Sequence, residues 1–132
     1  MTQEDKELLL KDLCARLPYG VCYRHFAWDD EGGEECIAAQ IYSINSDGYV
    51  KNCYDGETVY IDNVRPYLFP LSSMTDKQKN EYQYITERWM NDPAYSISDS
   101  IDWLNKNHFD HRGLIEKGLA IDATGLNIYS FV

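Results

Sequence analysis

Ile61-Asp62-Asn63-Val64-Arg65-Pro66-Tyr67-Leu68-Phe69-Pro70-Leu71-Ser72-Ser73-Met74-Thr75 divides the 132-residue chain into two halves of different character. Before it, apolar residues alternate between turn signals, the period of strands; after it, their spacing lengthens to that of helices. Arg65-Pro66 ends the last strand, because proline has no N–H for a ladder. Pro66-Tyr67-Leu68-Phe69-Pro70 reads as an irregular or 3₁₀ crossing. The stretch carries no nucleophile, metal cluster or phosphate loop, and neither does the rest of the chain. The sequence alone therefore assigns no biochemical activity.

Upstream, Thr2 followed by Asp5 resembles a capping box, with Asp in place of the usual Glu. Leu9, Leu10, Leu13, Cys14 and Leu17 recur at helical spacing, predicting a helix over 3–17 that Pro18-Tyr19-Gly20 stops. Strands are predicted over 21–28, 36–44, 49–53 and 58–62. Asn45-Ser46-Asp47-Gly48 and Tyr54-Asp55-Gly56-Glu57 supply turns, with glycine where positive φ is often needed. Tight turns between short strands suggest a strongly bent antiparallel sheet, with a partial SH3-like barrel as one way for it to close.

Downstream, Thr75 with Gln78 forms a second capping box, so a helix should begin near Asp76 and run to about Met90. Tyr82, Ile85 and Trp89 share one face of it. Asn91-Asp92-Pro93 breaks this helix, and Ser98 opens a third over 99–107, with Ile101 and Leu104 inward and Trp103 adjacent. A short helix over 112–118, closed by Gly118, and a final strand over 126–131 complete the prediction. The expected class is α+β in one domain: an N-terminal helix (1–20), a small antiparallel sheet (21–64) and a mainly helical part (65–132) packed on it.

Twelve basic against 22 acidic residues leave a net charge of −10, which argues against a nucleic-acid backbone or an anionic membrane as partner. The polar start, Met1 to Lys6, shows no secretory h-region, and no apolar run approaches a membrane span. A cytoplasmic protein is expected, and with it free thiols at Cys14, Cys22, Cys36 and Cys53, whose spacings match no C-x-x-C pattern. They read as buried, inert thiols.

Three blocks form a recognisable set: Lys11-Asp12-Leu13-Cys14-Ala15-Arg16-Leu17-Pro18-Tyr19-Gly20-Val21, then Ile61 through Thr75, then Asp102-Trp103-Leu104-Asn105-Lys106-Asn107-His108-Phe109-Asp110 with Arg112 through Ala120. Together they resemble a family of small uncharacterised proteins from gut Bacteroidales and their phages and mobile elements. The resemblance covers roughly the whole chain, and 27–60 is the segment in which that family varies most. It implies a bacterial or phage cytosol and supplies no activity, cofactor or catalytic residue.

His108-Phe109-Asp110-His111 is the best metal-like cluster, since His108, Asp110 and His111 could offer three ligands to a metal-dependent enzyme. Histidines closing a helix are equally well explained by its dipole. The loop Asp29, Asp30, Glu31, Glu34 and Glu35 lacks the ligand order of an EF-hand and reads as a soluble hairpin tip. If charge is used on a protein partner, it is here, because residues 19–57 hold 8 acidic and 2 basic side chains, a net −6. Tyr67-Leu68-Phe69 is the second candidate contact, provided it forms an exposed aromatic patch. Cys22 and Cys53 could pair with His25, but Cys22 and His25, three apart on a strand, point to opposite faces. Ser72 and Ser73 read as turn or capping residues, and Gly113 and Gly118 bracket a short helix rather than cradle phosphate. The expectation is a non-enzymatic protein-interaction module with no cofactor; the alternative is the metal-dependent enzyme.

Overall fold

The computed structural model describes residues 1–28, 31–92, 94 and 96–129, apart from the side chains of Trp28 and Trp89. Helix α1, Gln3–Arg16, starts at Thr2, whose side-chain oxygen accepts the Asp5 N–H at 3.1 Å. It buries Leu9 and Leu13 together with two charged residues, Asp12 and Arg16. Cys14 lies on the exposed side, so it is not the core residue its spacing suggested. A 3₁₀ turn, Leu17–Tyr19, follows α1.

Strands β1 (Cys22–Trp28), β2 (Glu34–Ile44), β3 (Tyr49–Asn52) and β4 (Thr58–Tyr60) form an antiparallel sheet in the order β1-β2-β3-β4. In the β2–β3 turn the Asn45 side-chain oxygen accepts the N–H groups of Asp47 and Tyr49, both at 3.0 Å. Gly48 closes that turn at φ +88°, and a Cβ there would press on Ile61 at 3.3 Å. The positive φ is what favours glycine here, and a larger residue would also have to displace the Ile61 side chain slightly. After β4 a 3₁₀ turn, Ile61–Asn63, carries the chain back to β1. There the Arg65 carbonyl accepts the Arg24 N–H at 3.0 Å, and Pro66 bridges Tyr23. The sheet therefore curls on itself around Val21, Tyr23, Ile41, Val50, Ile61 and Val64, a core completed by Leu9 and Leu13.

The segment read as an irregular crossing is strand β5, Tyr67–Pro70, at the centre of a second sheet. It is flanked in parallel by β6 (Phe109–Asp110) and β7 (Ile121–Asp122). The Phe69 N–H donates to the His108 carbonyl, and the Ile121 and Ala123 N–H groups donate to the Pro66 and Leu68 carbonyls, each at 2.8 Å. The prolines are tolerated because they stand at the strand's boundaries and Pro66 is needed only as an acceptor. The expected irregular or 3₁₀ crossing over Pro66–Pro70 is thus corrected to a strand; a 3₁₀ turn follows it at Leu71–Ser73.

Helix α2, Asp76–Asn91, has the predicted capping box: the Gln78 N–H donates to Thr75 Oγ1 at 3.2 Å and the Thr75 N–H to Gln78 Oε1 at 2.9 Å. Thr75→Ala should lower unfolding free energy by about 1 kcal/mol. Urea denaturation would show a lower midpoint at unchanged slope, and an unchanged midpoint would mean the cap contributes nothing. Helix α3, Ile97–Lys106, begins two residues earlier than predicted, with Ser96 as N-cap rather than Ser98. Leu104 is buried, Ile101 is exposed, and Trp103 lies against Tyr82 of α2 and stacks on Phe109. Residues 112–118 form turns rather than a helix. The predicted strand over 126–131 is not formed over its described part, where Leu126 to Tyr129 follow a turning path; its last two residues lie outside the described residues.

Candidate functional site

The β1–β2 hairpin outruns the rest of its sheet. β2 has eleven residues, β1 pairs with it from Gln40 down to Glu34, and β3 pairs only with Ile41 through Ile44. The Cys53 N–H takes the Gln40 carbonyl at 2.9 Å, marking where the flanking chain departs. Because the Ile41 N–H donates to Val21, antiparallel alternation turns the odd-numbered backbone groups of β2 toward β1. The backbone N–H and C=O groups of Glu34, Cys36 and Ala38 therefore face away from it, along an edge that, among the described residues, no other strand of the sheet covers.

That edge carries part of the predicted acidic contact. Glu31, Glu34 and Glu35 are exposed beside it, whereas Asp29 and Asp30 lie outside the described residues. The adjoining face of β1 presents Phe26, 50% exposed, with the Arg24 guanidinium 5.4 Å from its ring centre. On β2, Tyr42 is exposed with the Lys51 ammonium 5.9 Å from its ring. The only basic side chains of residues 19–57 thus stand on aromatic rings, which leaves the hairpin end acidic.

Tyr67, Leu68 and Phe69 do not form an exposed aromatic patch. Tyr67 is 7% exposed, and Leu68 is fully buried as part of the core it shares with Leu9, Leu13 and Leu114. Phe69 is half-buried, packed on Phe109 and Tyr129, and reaches a cleft of about 410 Å³ that Ala123, Gly125, Asn127 and Ile128 also line.

Nor do His108, Asp110 and His111 converge. His108 is buried with its ring stacked on Tyr129 at 3.8 Å, and neither ring nitrogen has a hydrogen-bond partner among the described residues. Asp110 uses both carboxylate oxygens on backbone, accepting the Leu114 and Ile115 N–H groups at 2.9 and 3.0 Å. His111 Nε2 faces Asn105 Oδ1 at 2.8 Å. The sequence spacing assumed a helical face, but His108 adopts left-handed backbone at φ +60° and a strand follows it. The three side chains consequently leave in different directions.

The cysteines are less buried than expected: Cys14, Cys36 and Cys53 are exposed and Cys22 partly so. Burial, with Cys53 nearby, pushes the Cys22 thiol up to about 11, far from a thiolate nucleophile at neutral pH. His25, dismissed above as a partner for Cys22, sits instead in a polar chain. Asn52 Nδ2 donates to Tyr23 Oη at 2.9 Å, Tyr23 Oη lies 3.4 Å from His25 Nδ1, and His25 Nε2 lies 3.0 Å from Asp55 Oδ2. Glu57 Oε2 is 3.5 Å from the same Nε2. Strand alternation and the Asp-Gly turn were visible in sequence, but nothing there indicated that Asp55 and Glu57 would fold back over β1.

Among the described residues, no helix is long and apolar enough to cross a membrane. No protein-family model matches the chain, and no curated protein or solved structure matches it either.

Proposed function

We propose that this chain is a non-enzymatic protein-interaction module, which takes an extended, basic segment of a partner protein onto the open edge of β2. The observation that carries the reading is the backbone of Glu34, Cys36 and Ala38, unflanked by any strand among the described residues, at the end of a ladder held by β1. An added strand would gain main-chain hydrogen bonds without reorganising the hairpin. Glu31, Glu34 and Glu35, with Asp29 and Asp30 just before them in sequence, select the partner's charge. The same carboxylates oppose pairing with a second copy, since like charges at an edge repel. Nucleic acid is disfavoured as a partner by the same field. A bacterial or phage cytosol, implied by the family resemblance, is the setting proposed with this reading.

The test uses short peptides alternating valine with lysine, and glutamate counterparts, titrated into the full chain and followed by amide chemical shifts. The lysine peptide should perturb 34–38 saturably and the glutamate peptide should not. Ala38→Pro removes an outward donor while sparing the β1 ladder, and should abolish the response. Neutralising Asp29, Asp30, Glu31, Glu34 and Glu35 together should weaken binding about tenfold, more so at low salt. Equal binding of both peptides, or a response that survives Ala38→Pro, would overturn the reading. So would a stable dimer formed through this edge in sedimentation.

A further inference from the structure

We propose that His25, Asp55 and Glu57 form a binding site for one divalent transition-metal ion, of the Zn²⁺ or Mn²⁺ type. Among the described residues this is where three metal-ligating side chains gather, with one ligand atom from each lying within 4.8 Å of the others. The spacings suit an ion with little rearrangement. Ligands held at about 2.1 Å from a metal lie about 3.0 Å apart at right angles and about 3.4 Å apart at the tetrahedral angle. His25 Nε2 stands 3.0 Å from Asp55 Oδ2 and 3.5 Å from Glu57 Oε2.

The donors are held in place before any ion arrives. Asn52 Oδ1 accepts the Tyr54 and Asp55 N–H groups, both at 2.9 Å, and so shapes the turn that delivers both carboxylates. Asp55 Oδ1 accepts the Glu57 N–H at 2.9 Å, which leaves Oδ2 aimed at the imidazole. The His25 ring is almost wholly buried, while the carboxylates are partly exposed, so the ion would enter from solvent. A cleft of about 150 Å³ lined by His25, Glu57, Phe26 and Asn63 leaves room for water ligands beside them.

Behind the imidazole, Tyr23 Oη faces Nδ1 and accepts from Asn52, an outer layer of the kind that orients metal-bound histidine. In the neutral imidazole the Asp55 carboxylate can only accept, which places the ring proton on Nε2 and leaves Nδ1 to accept from Tyr23. For Nε2 to bind metal, Nε2 must give up its proton, and the Tyr23 hydroxyl can then accept from an N–H at Nδ1. One imidazole and two carboxylates favour a borderline ion such as Zn²⁺ or Mn²⁺; an imidazole donor is unusual for Ca²⁺ or Mg²⁺. The ion would tie β1 to the β3–β4 turn, thirty residues away in sequence.

The full chain, stripped with chelator, would be titrated with Zn²⁺ by calorimetry and with Mn²⁺ by paramagnetic broadening of amide spectra. The expected result is one ion per chain, with broadening centred on His25 and Asn52 through Glu57. Glu57→Gln, at an exposed position that leaves the fold intact, should weaken both ions at least about tenfold. His25→Gln, with folding checked by circular dichroism, should abolish the site, and Glu81→Gln should change nothing. Absence of saturable binding, or unchanged affinity in Glu57→Gln, would overturn the proposal. Zinc binding lost only on replacing Cys14, Cys36 and Cys53 by serine would overturn it too, because thiols would then be the ligands.

Discussion

Asp12→Ala will lower the unfolding free energy by on the order of 3–5 kcal/mol, a large share of the 5–15 kcal/mol typical of a native domain. Asp12 is fully buried and serves two cations: Oδ2 accepts Arg16 Nε at 2.9 Å and Oδ1 accepts Arg112 Nη1 at 2.8 Å. Arg16, also fully buried, spends Nη2 on the Phe109 carbonyl at 2.6 Å, while its Nη1 has no partner among the described residues. Removing the carboxylate leaves that guanidinium without a counter-charge in a place water does not reach. The cost is therefore the desolvation of an unpaired charge and exceeds the worth of the ion pair itself. The contact also joins α1 to the loop after β6, so its loss loosens the seam between the two sheets. Urea denaturation measures the effect, and a loss below about 1 kcal/mol would sink the argument. The double variant Asp12→Leu with Arg16→Met should recover much of the loss, since apolar replacement of a buried pair is often neutral or better.

Between pH 6.5 and about 4 the fold will lose stability through its buried imidazoles. Burial, and secondarily the Arg16 charge, hold the His108 imidazole down from 6.5 to about 4. The Tyr19 carbonyl acts the other way, although it lies outside hydrogen-bonding geometry. An unfolded imidazole takes its proton near 6.5, whereas the folded one resists until about 4. Stability from this group is thus complete above 6.5 and falls away toward 4, by on the order of 3 kcal/mol in all. His111 contributes in the same direction, lowered to about 4 by burial and then by Arg112. His108→Phe keeps the stack on Tyr129 and removes two unpartnered ring nitrogens. Its acid limb should be flatter than that of the parent. Thermal unfolding across this range tests the claim, and an acid limb identical to the parent's would refute it.

The parts of the fold that were legible are those whose cause is local. Alternation from Val21 to Trp28, the Asn-Ser-Asp-Gly and Asp-Gly turns, and the Thr75–Gln78 box act over four to ten residues and are written in consecutive side chains. The second sheet was not legible, because β6 and β7 are two residues each and have no period to read. They exist because β5 offers them backbone partners across forty and fifty-four positions. The candidate sites divide in the same way. The acidity of the β1–β2 hairpin was plain from composition, but its open edge depends on where β3 stops.

By itself, then, the sequence determined the class of the protein: an α+β chain with a helix first, an antiparallel sheet next and further helices later, strongly acidic, with charge concentrated in one hairpin. These follow from propensity, period and charge count, which need no knowledge of distant neighbours. Tertiary structure decided which charged residues are buried together and which backbone edge is left open. It moved Tyr67 and Leu68 from a supposed surface into the core, scattered His108, Asp110 and His111, and gathered His25 with Asp55 and Glu57. Each of these depends on chain closure over tens of residues, where packing and hydrogen-bond satisfaction override what local spacing implies.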